Sequence, residues 1–135
     1  MRPTRITFIL ALATVVVVTL SIVARGDDAS GDIRLSLDDD GASIKLGESG
    51  TLTLELEANP TTGFTWRLES LDEQVLRLSG EPAYRSHSNL PGSPGTMTFA
   101  FEAAGAGETE LRLVYHRPWE DAAPIQTFDL LVTVG

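Results

Sequence analysis

Two short segments of this chain carry the residue types best suited to contacts at a surface. Asn59-Pro60-Thr61-Thr62-Gly63-Phe64 combines an amide, two hydroxyls and a glycine, and Arg117-Pro118-Trp119 combines a cation with an aromatic ring beside a proline. Neither segment pairs a nucleophile with a base. Trp and Arg are enriched among the residues that anchor one protein on another. Their presence in turn-like peptides predicts a protein-binding surface.

The segment from Asn59 to Gly63 has the composition of a stiff loop. Pro60 fixes its own φ and keeps Asn59 out of the helical region, and Gly63 can adopt a conformation that other residues avoid. The Asn and Thr side chains can also hydrogen-bond to their own backbone. The segment is therefore either an ordinary turn between two strands or a rigid loop that presents small hydroxyl groups.

Trp119 also has two interpretations. It lies outside any alternating run and is followed by the acidic residues Glu120 and Asp121, which favours an exposed position in a polar loop. Alternatively, it folds back onto the domain with Arg117 over its ring, because a cation is attracted to an aromatic face.

The remaining reactive residues form no recognisable catalytic or metal site. His87 and His116 lack the spacing of metal ligands, and no motif assigns a Ser-His-Asp triad. Residues 38–41 depart from the spacing of a calcium loop. The chain has no cysteine, which excludes a thiol nucleophile, a disulfide and a Cys-ligated metal. We therefore predict a protein that is not an enzyme and that uses no metal or cofactor.

The N-terminal residues have the layout of an export segment. Arg2 and Arg5 precede an apolar stretch over residues 6–24. Its length is long for a signal core and close to the roughly 20 residues that span a bilayer. Residues 1–24 are thus predicted to be a signal peptide or a transmembrane anchor, and both alternatives stay open. Residues 25–31 would be a linker, and the N-terminal positive charge directs residues 32–135 out of the cytoplasm.

The exported part would be acidic. Residues 25–135, which lack Arg2 and Arg5, carry 8 basic and 19 acidic residues, a net charge of −11. Nucleic-acid phosphates require Lys and Arg, so a nucleic-acid partner is not expected. Membrane contact is expected only through the N-terminal segment, if that segment is not cleaved.

The rest of the chain alternates apolar and polar residues with a period of two. The clearest run is 51–57, in which Leu52, Leu54 and Leu56 share one face. Turn residues separate the runs, so the pattern predicts an all-β domain, a monomeric antiparallel β-sandwich of seven or eight strands. The connection from Tyr84 to Gly95 lacks alternation and is predicted to be a long loop. The alternating runs are 33–37, 43–46, 51–57, 64–69, 75–78, 96–102, 108–115 and 126–134.

Taken in order, these segments resemble the chagasin-type inhibitors of papain-like cysteine proteases. That family combines an NPTTG-type loop, a Gly-rich loop and an RPW or RPF loop. Residues 59–63 match the first and 117–119 match the third. Residues 92–95 fit the Gly-rich loop, with Pro94 where a Gly is usual. The resemblance covers about residues 33–135.

The resemblance implies an immunoglobulin-like sandwich whose three loops cluster at one end and enter the protease cleft. Inhibition would be reversible and competitive, with Thr61 nearest the catalytic cysteine and Trp119 on an aromatic wall of the primed side. The alternative is a non-inhibitory extracytoplasmic adhesion or scaffold module, since a fold does not fix a function. The protease-binding residues implied are Asn59, Pro60, Thr61, Thr62, Gly63, Phe64, Gly92, Ser93, Pro94, Gly95, Arg117, Pro118 and Trp119.

Overall fold

The computed structural model describes residues 31–135, which form nine β-strands and two short 3₁₀ turns. The predicted signal or anchor segment lies outside the described residues. Within those residues, no helix has the length and apolar character needed to cross a membrane. The strands are β1 (Asp32–Ser36), β2 (Ala42–Leu46), β3 (Thr51–Ala58), β4 (Thr65–Ser70), β5 (Leu76–Leu78), β6 (Ala83–Ser86), β7 (Gly95–Ala103), β8 (Gly107–His116) and β9 (Gln126–Val134), and the turns are Leu37–Asp39 and Pro60–Thr62.

The strands form two sheets, which confirms the all-β prediction. The first sheet has the order β1-β3-β7-β5, with β6 also paired to β7, and the second has the order β2-β9-β8-β4. The prediction of a purely antiparallel arrangement is wrong, because β1 pairs with β3 and β2 pairs with β9 in parallel. A period of two determines which face a side chain occupies, but it leaves the direction of the neighbouring strand open.

The strand count also differs from the predicted seven or eight, because three of the four residues of β6 lie in the stretch predicted to be a loop. All four of its residues are exposed, so the sequence shows no apolar alternation there. β6 pairs with β7 from Ala83 opposite Thr98 to Ser86 opposite Gly95. The irregular part of this connection is therefore residues 87–94.

The core lies between the two sheets and consists of the alternating residues. Leu54 is fully buried opposite Phe99 in the first sheet, and Leu113 is fully buried opposite Phe128 in the second. Burying each such side chain stabilises the fold by about 1.5–3 kcal/mol. The apolar stripes of both sheets thus meet in one hydrophobic cluster.

The strand registers bring three connections to one end of the domain. Ala58, the last residue of β3, pairs with Gly95 at the start of β7, and Gly95 also pairs with Ser86 at the end of β6. In the second sheet, Thr65 at the start of β4 pairs with His116 at the end of β8. The connections that leave at this end are 59–64, 87–94 and 117–125, which we call the central loop, the second loop and the third loop.

Candidate functional site: a three-loop edge

The central loop is held in shape by Asn59. The side-chain Oδ1 of Asn59 accepts the backbone N–H of Thr61 at 3.2 Å and also the Thr61 hydroxyl. Its carbonyl accepts the N–H of Thr62 at 3.1 Å and the Thr62 hydroxyl at 2.7 Å. Gly63 closes the 3₁₀ turn with φ of 89°, a left-handed value that favours glycine. Pro60, Thr61 and Thr62 remain exposed at the tip.

The second loop lies beside the central loop and is bonded to it. Asn59 Nδ2 donates to the carbonyl of Gly92 at 3.1 Å. Within the second loop, Ser93 N–H donates to the Leu90 carbonyl at 3.2 Å, and His87 N–H donates to the Pro94 carbonyl at 3.0 Å. Leu90 projects from this loop with 70% of its surface exposed.

The third loop lies on the other side of the central loop, where Arg117 joins the two. Arg117 Nε donates to the Thr62 carbonyl at 3.1 Å, and its NH1 donates to Glu120 at 3.1 Å. The guanidinium also lies 4.4 Å from the centroid of the Phe64 ring. Each contact restricts the same side chain, so Arg117 holds the central and third loops together.

Trp119 is the most prominent aromatic side chain of this edge. It is 69% exposed, although one side of its indole lies against Gly63. The alternative in which Arg117 covers the Trp119 ring is not what the structure shows, since Arg117 lies over Phe64 instead. A large apolar ring that is only partly supported by its own domain is available for a partner.

A stack of aromatic rings connects the loops to the core. Phe64 stacks on Tyr115 at 5.5 Å between centroids, and Tyr115 lies 4.9 Å from Trp66. Trp66 is 2% exposed and donates its indole N–H to the carbonyl of Glu57 at 3.0 Å. Arg117 lies over Phe64 at the exposed end of this stack. The side chains that hold the central and third loops together are therefore packed, through Tyr115, against the buried Trp66.

The structure brings the three predicted segments to one edge, in the order second loop, central loop, third loop. Phe64 and Arg117 are half-buried and hold the loops together, whereas Gly95 is buried in β7 against Tyr84.

Sequence reasoning missed Tyr115, whose hydroxyl contacts the central loop. Its place in an alternating run indicates a strand, but it gives no sign of that contact.

The ionisable groups form no catalytic arrangement at this edge. His87 Nε2 lies 2.8 Å from Thr96 Oγ1, and His116 Nε2 accepts from Arg67. In residues 31–135, no group of three or more His, Cys, Asp or Glu side chains is placed to hold a metal ion. The hydrogen bond and the charge of Asp129 raise the pKa of Arg112, but this pair lies in mid-strand and outside the three loops.

The chain is similar in sequence to known peptidase inhibitors. The model of the chagasin family of peptidase inhibitors, I42, matches residues 43–132. Amoebiasin-1 of Entamoeba histolytica is 30% identical over 105 residues, which cover 76% of this chain and 99% of that protein. Chagasin of Trypanosoma cruzi is 31% identical over 84 residues, which cover 58% of this chain and 76% of that protein.

The fold has a solved counterpart as well. The crystal structure of a cysteine protease inhibitor from Entamoeba histolytica superimposes with a TM-score of 0.69 and 23% identity, covering 77% of this chain and 96% of that chain. At this identity the likeness concerns the fold, while the family assignment rests on the sequence match over residues 43–132. The chain belongs to the chagasin family of peptidase inhibitors.

Proposed function

We propose that this protein is a reversible, competitive inhibitor of papain-like cysteine proteases and not an enzyme. Family membership supports this function, as does the inhibitor of cysteine proteases that shares its fold. The observation that carries the proposal is the geometry of the edge. Three loops lie side by side, and the central one presents the exposed residues Pro60, Thr61 and Thr62.

In the proposed complex, the central loop enters the catalytic cleft with Thr61 nearest the catalytic cysteine. Its exposed surface consists of small hydroxyl groups and a proline, which suits a narrow cleft. Asn59 already satisfies the Thr61 backbone N–H and hydroxyl. The loop therefore loses little conformational freedom on docking, and a preordered binder gains affinity by avoiding that cost.

The two flanking loops would contact the cleft on either side of the central loop. Trp119 would stack on an aromatic wall of the primed side, since its indole is exposed. Residues 92–95 would lie on the non-primed side, next to the Asn59–Gly92 hydrogen bond, with Gly95 buried at the base of the loop. Phe64, Arg117 and Pro118 complete the proposed protease-binding set, the first two mainly by holding the central and third loops together.

The proposal extends to the N-terminal segment and to the location of the domain. Residues 1–24 would act as a signal peptide or a membrane anchor and residues 25–31 as a linker. Residues 32–135 would form a monomeric, immunoglobulin-like sandwich outside the cytoplasm. Mass spectrometry of the natural N-terminus would distinguish a cleaved signal from a retained anchor.

Titration of papain with the purified protein tests the function. We expect stoichiometric loss of peptidase activity that is recovered on dilution, because no covalent bond forms. The same titration with Thr61→Arg provides a control in which the loop tip is blocked. No effect of the wild-type protein on several papain-like proteases would overturn the proposal and favour a non-inhibitory adhesion or scaffold module.

A further inference from the structure

Two aromatic side chains of the second sheet close an open edge of β3 beside the central loop. The parallel partner β1 ends at Ser36, opposite Glu55, so within residues 31–135 the following residues of β3 have no strand on that side. There, Trp66 donates its indole N–H to the Glu57 carbonyl at 3.0 Å, and Asn59 donates its backbone N–H to the Tyr115 hydroxyl at 3.0 Å. Alternate residues of a strand direct their backbone groups to the same edge. The two side chains therefore replace the missing strand.

The Tyr115 hydroxyl is held in a fixed position. Tyr115 lies in β8, between Trp66 of β4 and Gln126 of β9. Its ring is packed between Phe64 and Trp66, at centroid distances of 5.5 and 4.9 Å. The backbone and the ring of Tyr115 are thus both held in place by their neighbours. Through its hydrogen bond with the Asn59 N–H, the hydroxyl fixes the residue that follows β3 of the first sheet.

Asn59 is in turn hydrogen-bonded to the exposed residues of the central and second loops. Its side chain accepts from the backbone and the hydroxyl of Thr61, and its amide nitrogen donates to Gly92 in the second loop. Its carbonyl accepts from Thr62. A shift at Asn59 would therefore displace the tip of the central loop and loosen its contact with the second loop.

We propose that Tyr115 is a positioning residue of the inhibitory edge. Its hydroxyl fixes the backbone of Asn59, and Asn59 in turn sets the position of Thr61 and the spacing of the central and second loops. Tyr115 itself need not touch the protease. This inference rests on the proposed inhibitory function, and it assigns to a half-buried strand residue a part of the binding affinity.

The substitution Tyr115→Phe removes the hydroxyl and keeps the ring in the stack. The Asn59 N–H then loses its partner, and the loop must be reordered when it binds. We expect the inhibition constant for papain to rise about 5-fold, which corresponds to a typical net hydrogen bond of about 1 kcal/mol. We also expect the Asn59 amide to exchange hydrogen faster in the free protein, while exchange in the core strands is unchanged.

Thr109→Val provides a matched control. The Thr109 hydroxyl also accepts a backbone N–H, that of Asp72, at 2.9 Å, and Thr109 is buried. It lies in the same strand as Tyr115, roughly 20 Å from it at the usual rise per residue. Both variants lose a hydroxyl that accepts a backbone N–H, and Thr109→Val also loses the hydrogen bond that this hydroxyl donates to the Glu110 carbonyl at 3.3 Å. Both are therefore expected to unfold at lower denaturant concentration. Only Tyr115→Phe should change the inhibition constant measured well below the unfolding transition.

The measurements use the full-length chain, in mild detergent if its apolar N-terminal stretch requires it. Equal inhibition constants for wild type and Tyr115→Phe would overturn the inference, as would an equal rise in both variants, which would indicate a general effect of lost stability. Unchanged exchange at Asn59 would overturn it independently of any protease. Failure of the wild-type protein to inhibit would instead contradict the proposed function, and the exchange measurement would still decide whether Tyr115 restrains the loop.

Discussion

Trp66 and Trp119 place the same side chain in opposite environments. Trp66 is 2% exposed and its indole N–H is bonded to the Glu57 carbonyl, whereas Trp119 is 69% exposed and rests on Gly63 along one side. Trp66 lies in an alternating strand and faces the core. Trp119 lies in a loop after Pro118. The position in the sequence pattern, and not the residue type, separates an aromatic that stabilises the fold from one that is available to a partner.

The largest expected effect is on folding, from Trp66→Ala. Truncation of a core aromatic creates a cavity, and here it also leaves the Glu57 carbonyl without its donor, so we expect a loss of about 3–5 kcal/mol in the free energy of unfolding. Denaturant melts measure this loss. An unchanged unfolding midpoint would mean that Trp66 does not stabilise the core.

The next largest effect is expected in binding, from Thr61→Arg. The side chain at the exposed tip would be too large and charged for a narrow cleft, so inhibition should weaken by at least about 2 kcal/mol. The melting temperature should barely move, because Thr61 is exposed. Thr61→Ser is the matched control and should stay close to wild type. If the inhibition constant of Thr61→Arg is unchanged, the central loop is not part of the interface.

Trp119→Ala should reverse the outcome expected for Trp66→Ala. Loss of an exposed aromatic anchor should weaken protease binding by about 2 kcal/mol and leave the unfolding free energy nearly unchanged. Inhibition constants and denaturant melts on both variants test the comparison. Unfolding of Trp119→Ala, together with a folded but inactive Trp66→Ala, would show that the two roles are assigned the wrong way round.

A smaller effect is expected from Gly63→Ala, which tests the support beneath Trp119. Gly63 has φ of 89°, so an alanine costs about 1–2 kcal/mol in folding. Its Cβ would also collide with the Trp119 ring. We therefore expect a further loss of roughly 1 kcal/mol in binding, less than removal of the whole indole.

Gly80→Ala separates the folding cost of a positive φ from the binding cost of the collision with Trp119. Gly80 has a similar φ of 81°, but a Cβ there would meet nothing within 4 Å. Its folding loss should resemble that of Gly63→Ala, while its inhibition constant should equal that of wild type. Equal inhibition by both variants would show that Trp119 does not depend on Gly63 for its position.

The sequence predicts the buried strands well, because burial on one face produces alternation, as at Leu52, Leu54 and Leu56. It does not predict β6, since all of its residues are exposed. It also does not predict the parallel pairing of β1 with β3 and of β2 with β9, since alternation is independent of strand direction. The composition of the central loop indicates its stiffness. The contact of Tyr115 with Asn59 joins residues 56 positions apart, and only the folded registers bring these residues together.

The most direct test of the account is the dependence of inhibition on substrate concentration. If the three loops occupy the catalytic cleft, the apparent inhibition constant for papain must rise linearly with the concentration of a competing peptide substrate, and activity must return on dilution. An apparent constant that is independent of substrate would contradict the account, because it would mean that the protein binds papain outside the cleft.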